Sequence, residues 1–280
     1  MITLAEVLRR STGYLESHGS PTPRLDAELL LSHGLGLSRL ELYTQFDRPL
    51  TDQELAACRE LVRRRGTREP VAYVIGHWGF RRLDLAVDAR VLVPRPETEV
   101  VVDRCLQLLA EVEHPSVVDV GTGSGAIALA IKDERPDAAV TACDVSDDAL
   151  AVAAANADRL GLEVTLVRSD LLEAVDGGPF DLVVSNPPYV SAAEIDGLEP
   201  EVAVHEPRLA TVAGDDGMAV YRRLLPQAAQ RLAGGGWLVL ECGAGQAPAL
   251  ATELRALGYG DPAVDRDLAG IDRVVWAQWP

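Results

Sequence analysis

The last two thirds of the chain alternate short apolar runs with amphipathic stretches, and this alternation strongly constrains the fold. Five runs have the length and the apolar content of buried strands: Val117–Val120, Ala139–Cys143, Val164–Val167, Leu182–Val184 and Trp237–Leu240. The stretches with helical spacing are Ala126–Lys132, Asp147–Leu160, Met218–Leu232 and Gln246–Leu257. Continuous apolar strands separated by helices predict an α/β domain whose parallel sheet is covered on both faces. A last strand, Arg273–Ala277, follows a longer excursion and is therefore a candidate antiparallel strand.

Residues 1–70 have the apolar spacing of helices, for example at Leu4, Val7 and Leu8. Thr51 and Glu54 have the spacing of a capping box that opens a further helix. From residue 71 to residue 93 the period changes to two and glycines interrupt the run, which predicts a β-hairpin. We therefore expect a helical substrate-recognition domain over 1–70, a β-hairpin linker over 71–93 and an α/β domain over 94–280.

The chain is acidic, with 280 residues, a net charge of −17 and a pI near 4.7. Nucleic acids bind cationic surfaces, so this charge argues against a nucleic-acid substrate. A cluster of arginines could still form a local basic patch. Its members also lie near the end of a predicted helix, where positive charges stabilise the helix dipole. Its members are Arg59, Arg63, Arg64, Arg65 and Arg68.

The four cysteines and five histidines are scattered along the chain. Their spacing predicts neither a disulfide framework nor a metal site, and it fits a reducing compartment. The sequence has no apolar stretch of membrane-spanning length and no signal-peptide pattern. We expect a cytoplasmic protein that does not contact membranes, and we expect it to be a monomer.

A glycine-rich loop, Asp119–Ala126, joins the first predicted strand to its helix. Glycines let the backbone pass close to a ligand, and a helix N-terminus favours an anionic group. Asp144 ends the second strand, where a carboxylate can accept hydrogen bonds from ribose hydroxyls. NAD and S-adenosylmethionine both use these features, so the loop and Asp144 leave the two cofactors open.

Two further features favour S-adenosylmethionine. Asp119 precedes the first glycine, which gives the acidic-x-Gly-x-Gly-x-Gly run typical of class I methyltransferases. Ser169 and Asp170 end the third strand, where an acid can accept a hydrogen bond from the adenine amino group. The pattern therefore indicates a methyl-donor site more than a dinucleotide site.

The tetrapeptide Asn186-Pro187-Pro188-Tyr189 follows the apolar run of the fourth strand. Neither proline has an N–H, and each fixes φ near −65°, so the turn offers the carbonyls of Asn186 and Pro187 as acceptors. Tyr189 adds an aromatic wall. At the carboxyl edge of the sheet, where open α/β sheets bind ligands, such a turn suits a planar –NH2 group. A turn that merely ends the strand is the alternative.

Taken together, the motifs resemble the HemK/PrmC-type release factor glutamine N5-methyltransferases over nearly the whole chain. The resemblance is carried by the helical first domain and by Pro70–Gly76 with Phe80, Val91–Glu99, Gly121–Gly125, Asn186–Tyr189 and Glu206–Pro207. Sister enzymes that methylate a ribosomal protein usually differ in the Pro94–Glu99 run. The family implies a Rossmann-like class I methyltransferase domain with a mostly parallel seven-stranded sheet.

The resemblance also implies the reaction. A methyl group passes from S-adenosyl-L-methionine to the side-chain amide nitrogen of a glutamine, and S-adenosyl-L-homocysteine is the product. The glutamine is that of the Gly-Gly-Gln motif in class-1 peptide chain release factors. The expected cofactor-binding residues are Gly121, Thr122, Gly123, Ser124, Gly125, Asp144, Asp170, Leu171 and Asn186.

The predicted catalytic residues are Asn186, Pro187 and Tyr189, and Pro188 joins them in the predicted substrate-binding set. The Asn186 side-chain oxygen and the Pro187 carbonyl are expected to accept the two hydrogens of the substrate amide. That grip orients the nitrogen towards the methyl carbon. Tyr189 is expected to pack on the amide, with anchoring of the loop by its hydroxyl as the alternative.

Several motif residues keep two interpretations. Leu171 stands where some relatives have an aromatic residue, so it is expected to cover the adenine with weaker stacking. Glu97 and Thr98 open a helix and either cap it or lie near the methionine part of the cofactor. Glu206 is expected to shape the loop over the substrate rather than to form an acid–base pair with His205.

Three other functions stay open: adenine-N6 methylation of DNA or RNA, glutamine methylation of a ribosomal protein, and a noncatalytic binding module with a methyltransferase fold. The acidity of the chain counts against the first. The Pro94–Glu99 run counts against the second. The intact glycine loop with Asp144 and Asn186 counts against the third.

Overall fold

The structure, a computed structural model, describes residues 2–280. The chain forms two compact units. The first contains the residues up to His77 together with Glu199–His205. The second contains Trp78–Leu198 and Glu206–Pro280.

The first unit is helical. Its helices are α1 (Leu4–Ser17), α2 (Pro23–Leu35), α3 (Arg39–Thr44), α4 (Asp52–Gly66) and α5 (Val71–Ile75). The predicted capping box is confirmed at the start of α4: the Thr51 hydroxyl accepts from the Glu54 N–H at 3.3 Å, and the Glu54 carboxylate accepts from the Thr51 N–H at 2.9 Å. This reciprocal bonding satisfies donors that the first turn of a helix leaves unpaired.

Four of the five arginines in the cluster pair with carboxylates within the first unit. Arg65 is almost fully buried and lies 2.7 Å from both Asp26 and Glu201. Arg68 contacts Glu201 at 2.5 Å and Glu199 at 2.7 Å. Because a buried guanidinium requires paired carboxylates, Arg65 serves the internal structure of the unit rather than a phosphate backbone.

The predicted period-two pattern is wrong over Val71–Ile75, which is a short helix. Val71 to Val74 are all buried, so the run has no exposed face to reveal its period. The left-handed Gly76, at φ 82°, then ends the helix. The hairpin itself begins afterwards, with β1 (His77–Phe80) and β2 (Leu83–Ala86).

The second unit is built on a seven-stranded sheet in the order β5-β4-β3-β6-β7-β9-β8. Its strands are β3 (Ser116–Val120), β4 (Ala139–Asp144), β5 (Thr165–Arg168), β6 (Phe180–Ser185), β7 (Leu232–Glu241), β8 (Ala263–Arg266) and β9 (Asp272–Gln278). Strands β3 to β7 pair in parallel, whereas β9 pairs antiparallel with β7 and β8. The expected mostly parallel sheet and the antiparallel last strand are confirmed.

The helices of this unit are α6 (Thr98–Leu108), α7 (Ala126–Glu134), α8 (Asp147–Leu160), α9 (Arg208–Thr211), α10 (Ala219–Arg231) and α11 (Ala247–Ala256). Helices α10 and α11 share a buried apolar core with the sheet, in which Tyr221 and Leu225 are fully buried. No helix within residues 2–280 is both long and apolar enough to cross a membrane.

Two strand predictions need correction. The run Val164–Val167 was expected to be buried, but β5 is the edge strand of the sheet and its side chains are half-buried or exposed. The short strand β8 was not predicted, because its residues alternate in burial and include two charged side chains.

The register of the parallel strands brings their carboxyl ends to one edge. Val120 of β3 lies beside both Cys143 of β4 and Ser185 of β6, and Ser185 lies beside Leu240 of β7. The residues that follow these positions therefore meet at that edge. This is the edge at which open parallel sheets bind ligands.

Candidate active site

The loop between β3 and α7 has the backbone that its glycines predict. Gly121 and Gly123 have φ values of 75° and 56°, and there is open space where a Cβ would stand at either residue. Gly125 differs, because a Cβ there would lie 2.9 Å from a methyl group of Leu129. Gly121 and Gly123 therefore leave room for a ligand, whereas Gly125 lets the start of α7 pack closely.

Asp119 holds this loop from inside the protein. Its carboxylate accepts from the Thr122 hydroxyl at 2.6 Å and from the Ala128 N–H at 3.2 Å. The side chain is fully buried, and burial raises the pKa of Asp119 from 3.8 to about 7. The acidic residue of the motif thus braces the loop and is not exposed to a ligand.

Asp144 is held at the end of β4 by the glycine loop. One carboxylate oxygen accepts from the Gly123 N–H at 2.9 Å, and the other accepts from the Ser146 N–H at 2.9 Å. The side chain is half-exposed and lines a cavity of about 240 Å³. An oriented carboxylate with lone pairs to spare can accept further hydrogen bonds from a ligand.

The cavity collects most of the predicted site residues. It is lined by Gly121, Thr122, Gly123, Ser124, Asp144, Asp170, Leu171, Asn186, Pro187 and Pro188. Two predicted residues, Gly125 and Tyr189, do not line it. The structure thus brings together residues from the ends of β3, β4, β5 and β6.

Asp170 and Leu171 form the wall that follows β5. The Asp170 carboxylate pairs with Arg223 of α10 at 2.7 Å, so a ligand there would meet both charges. Leu171 has a left-handed backbone, with φ 54°, which is uncommon for leucine. Its side chain packs partly against the core and partly lines the cavity. Arg223 was not predicted, because a helix-surface arginine has no sequence signature.

The turn after β6 presents acceptors to the cavity. Ser185 donates its hydroxyl to the Val120 carbonyl at 2.6 Å, which joins the end of β6 to that of β3. The Asn186 side-chain nitrogen donates to the Thr98 hydroxyl at 3.2 Å. Within residues 2–280, nothing donates a hydrogen bond to the Asn186 side-chain oxygen or to the Pro187 carbonyl. Both oxygens therefore have lone pairs available to a substrate amide.

Tyr189 points to a different environment. Its hydroxyl lies 3.4 Å from the Glu241 carboxylate, and its ring packs against the apolar core. Gln246 donates to the Tyr189 carbonyl at 3.0 Å. Burial and the neighbouring Glu241 charge raise the pKa of Tyr189 above its usual value. These contacts favour the interpretation in which Tyr189 anchors the turn.

Two buried carboxylates accept hydrogen bonds from side chains of the Pro94–Glu99 run. Glu206 is 4 % exposed and pairs with Arg95 at 2.6 Å, which disfavours an acid–base role for Glu206. Glu241 is 1 % exposed and accepts from the Thr98 hydroxyl at 2.6 Å. Sequence reasoning did not single out Glu241, although an acid that ends an apolar strand was a signal it used for Asp144.

Comparison with known proteins agrees with this architecture. A family described as the PrmC N-terminal domain matches residues 6–76, and one described as the methyltransferase small domain matches residues 99–257. Among solved structures, the hMettl16 catalytic domain in complex with an RNA hairpin has a TM-score of 0.58 at 17 % identity, covering 70 % of this chain and 75 % of that one. A methyltransferase from Pyrococcus furiosus has a TM-score of 0.51 at 19 % identity, covering 70 % and 88 %. The fold is that of a class I methyltransferase.

Curated relatives narrow this class. The release factor glutamine methyltransferase of Geobacter sulfurreducens is 44 % identical over 98 % of this chain and 95 % of its own length. That of Rhodopirellula baltica is 43 % identical over 99 % and 96 %. The chain belongs to the release factor glutamine methyltransferase family, as its motifs predict.

Proposed function

We propose that this protein transfers a methyl group from S-adenosyl-L-methionine to the side-chain amide nitrogen of the Gly-Gly-Gln glutamine in class-1 peptide chain release factors. The observation that carries the proposal is the Asn186–Pro187 turn, whose two free acceptor oxygens lie at a cavity beside the glycine loop. Curated relatives in the family are release factor glutamine methyltransferases, which supports the same activity for this chain.

The cavity suits the cofactor in shape and in chemistry. The open space at Gly121 and Gly123 allows a ligand to approach the backbone, and the oriented Asp144 carboxylate suits ribose hydroxyls. Leu171 offers apolar cover for a flat ring, and Asp170 offers an acceptor for its amino group. When bound, S-adenosyl-L-methionine supplies an electrophilic methyl group.

An amide nitrogen is a weak nucleophile, and the residues of the turn are proposed to make it more reactive. Its lone pair is delocalised into the carbonyl group, so the nitrogen must be placed and polarised. The Asn186 side-chain oxygen and the Pro187 carbonyl accept its two hydrogens, which aims the nitrogen at the methyl carbon. Such alignment is worth up to roughly 7–11 kcal/mol of the barrier. The same oxygens stabilise the positive charge that grows on nitrogen, and this charge is removed when the nitrogen releases one of its two protons to solvent.

The helical unit is proposed to hold the release factor, as in the family. The overall charge of −17 and the internally paired Arg65 and Arg68 do not favour a phosphate backbone as the partner. The substrate is therefore proposed to be the protein and not a nucleic acid.

A labelling experiment tests the proposal. The protein is incubated with methyl-labelled S-adenosyl-L-methionine and, separately, with a release factor, the same factor with its motif glutamine replaced by alanine, a ribosomal protein, and DNA or RNA. We expect label only on the intact release factor, at the motif glutamine. Label on nucleic acid or on the ribosomal protein alone would contradict the proposal, and no transfer to any acceptor would favour a noncatalytic module.

A further inference from the structure

Behind the Asn186 turn, three buried or half-buried side chains form a chain of hydrogen bonds. The Asn186 side-chain nitrogen donates to the Thr98 hydroxyl at 3.2 Å, and the Thr98 hydroxyl lies 2.6 Å from a Glu241 carboxylate oxygen. Thr98 is 4 % exposed and Glu241 is 1 % exposed. Water therefore has little access to the bond between Thr98 and Glu241.

The direction of these bonds follows from the chemistry of the three groups. An ionised carboxylate only accepts hydrogen bonds, and a hydroxyl has a single hydrogen to donate. When the Thr98 hydroxyl donates its hydrogen to Glu241, the Thr98 oxygen can only accept a hydrogen bond from Asn186. The amide of Asn186 must therefore turn its –NH2 group towards Thr98 and its oxygen away.

This direction matters because an asparagine amide has nearly the same shape after a 180° flip. In the flipped orientation, Asn186 would present a donor to a substrate amide that also needs to donate. We propose that Glu241, acting through Thr98, is a positioning residue that holds the Asn186 side chain with its oxygen available to the substrate nitrogen. This inference rests on the proposed amide-nitrogen chemistry.

The surroundings of Glu241 make the direction sensitive to pH. The pKa of Glu241 is raised from 4.5 to about 7, because burial and the charge of Glu97 outweigh the lowering by Arg273 and by the bonds from Thr98 and Tyr189. Two more titratable groups face it: Cys242 and Tyr221, whose hydroxyl donates to the Glu241 carbonyl at 2.7 Å. A protonated Glu241 can donate to Thr98, which frees the Thr98 hydrogen for the Asn186 oxygen. Turnover should therefore rise as the pH increases through about 7.

The composition of the chain permits a direct test. Asn156 and Asn186 are its only asparagines, so protein labelled with 15N-asparagine has two side-chain –NH2 groups in an NMR spectrum. Asn156 is an internal control, because its –NH2 group donates to the Ala86 and Ser124 carbonyls at 3.0 and 2.9 Å. Unchanged Asn156 signals report that a variant is folded.

The matched variants are Thr98→Val, which removes the hydroxyl at similar shape, and Thr98→Ser, which retains it. We expect Thr98→Val to move the Asn186 –NH2 signals and to lower kcat about tenfold, the effect of losing one such hydrogen bond. Cofactor affinity, measured by calorimetry, should stay close to that of the wild type. Thr98→Ser, which keeps the hydroxyl, should have the Asn186 signals and the kcat of the wild type.

The role of Glu241 itself is tested by Glu241→Gln, since a neutral amide can either donate to Thr98 or accept from it. We expect the Asn186 signals and kcat to lose their response to pH near 7 in this variant. Asp119→Asn should retain that response, and this control separates the two buried carboxylates whose pKa lies near 7.

Wild-type Asn186 signals and wild-type kcat in Thr98→Val, with Asn156 unchanged, would overturn the inference. So would a pH response that survives Glu241→Gln. The NMR measurement needs no methyl acceptor, so it gives its answer even if the wild-type protein methylates no release factor.

Discussion

Single residues at the sheet edge differ in how much of their hydrogen-bonding capacity the protein itself uses. Both Asp144 oxygens already accept a backbone N–H, so the carboxylate is a fixed acceptor with remaining lone pairs. Asn186 uses only its nitrogen internally and keeps its oxygen for an external group. Asp144 therefore suits the binding of a resident ligand, whereas Asn186 suits a group that reacts and leaves.

The first prediction at this scale concerns Asn186→Ala. Removing the acceptor should lower kcat by about 10²–10³-fold, the effect of losing one preorganised polar group at a reacting centre. Cofactor affinity in calorimetry should change little. Asp147→Ala is the control, because it removes an exposed acidic side chain. Normal turnover in Asn186→Ala would contradict the proposed role of its side-chain oxygen.

Asp144→Ala should act on binding instead. Loss of a charged acceptor costs roughly 1.5–3 kcal/mol, so the dissociation constant for S-adenosyl-L-methionine should rise about 10–100-fold. Asp147→Ala removes an exposed acid three positions further along and should leave the constant unchanged. Equal affinity of Asp144→Ala and wild type in calorimetry would rule out the ribose role.

At the scale of elements, the glycine loop combines two functions that look alike in sequence. Gly121 and Gly123 leave space towards the cavity. Gly125 precedes α7 and lies close to Leu129 of the same helix and to Ala153 of α8. A motif of three glycines thus contains two positions that leave room for a ligand and one that allows close helix packing. The distinction depends on which neighbour each missing side chain would meet.

This distinction predicts the stability of two alanine variants. Gly125→Ala introduces a Cβ at φ 85° and places it 2.9 Å from Leu129, so both strain and overpacking apply. Gly161→Ala, at φ 66° with open space around it, has the backbone strain alone. Denaturant unfolding should show a loss of about 2–4 kcal/mol for Gly125→Ala and about 1 kcal/mol for Gly161→Ala. Equal losses would show that the Leu129 contact relaxes freely.

At the scale of the whole molecule, the free energy of unfolding depends on buried carboxylates. The pKa of Asp119 is about 7 in the folded chain against an ordinary value of 3.8. Between these values the folded protein binds more protons than the unfolded chain. The stability that Asp119 contributes is therefore complete below about pH 4 and is lost as the pH rises to 7.

Asp119→Asn should remove this dependence, because an amide does not titrate. Relative to the wild type, the free energy of unfolding of the variant should increase by on the order of 3 kcal/mol as the pH rises from about 4 to 7. Above pH 8 the difference should be constant. Denaturant unfolding across this pH range measures it, and a difference independent of pH would mean that Asp119 is ionised throughout.

Much of the fold and of the site could be predicted from local patterns in the sequence. Apolar runs revealed the strands β3, β4, β6 and β7, because these strands are buried on both faces. The same patterns failed to predict the helix Val71–Ile75, because its buried residues leave no polar face that would reveal the helical period. The edge strands β5 and β8 were misjudged or missed, because their side chains are half-buried or exposed rather than buried on both faces.

By itself, the sequence determined the alternation of strands and helices, the glycine loop and the acceptor turn Asn186–Tyr189, since each depends on neighbouring residues. Only the tertiary structure decided the partners of these groups. Thr98 and Glu241 are 143 positions apart, and no local pattern reports that they meet behind Asn186. The physical reason is that Thr98 begins α6 and Glu241 ends β7, and the packing of that helix against that strand is a property of the assembled domain.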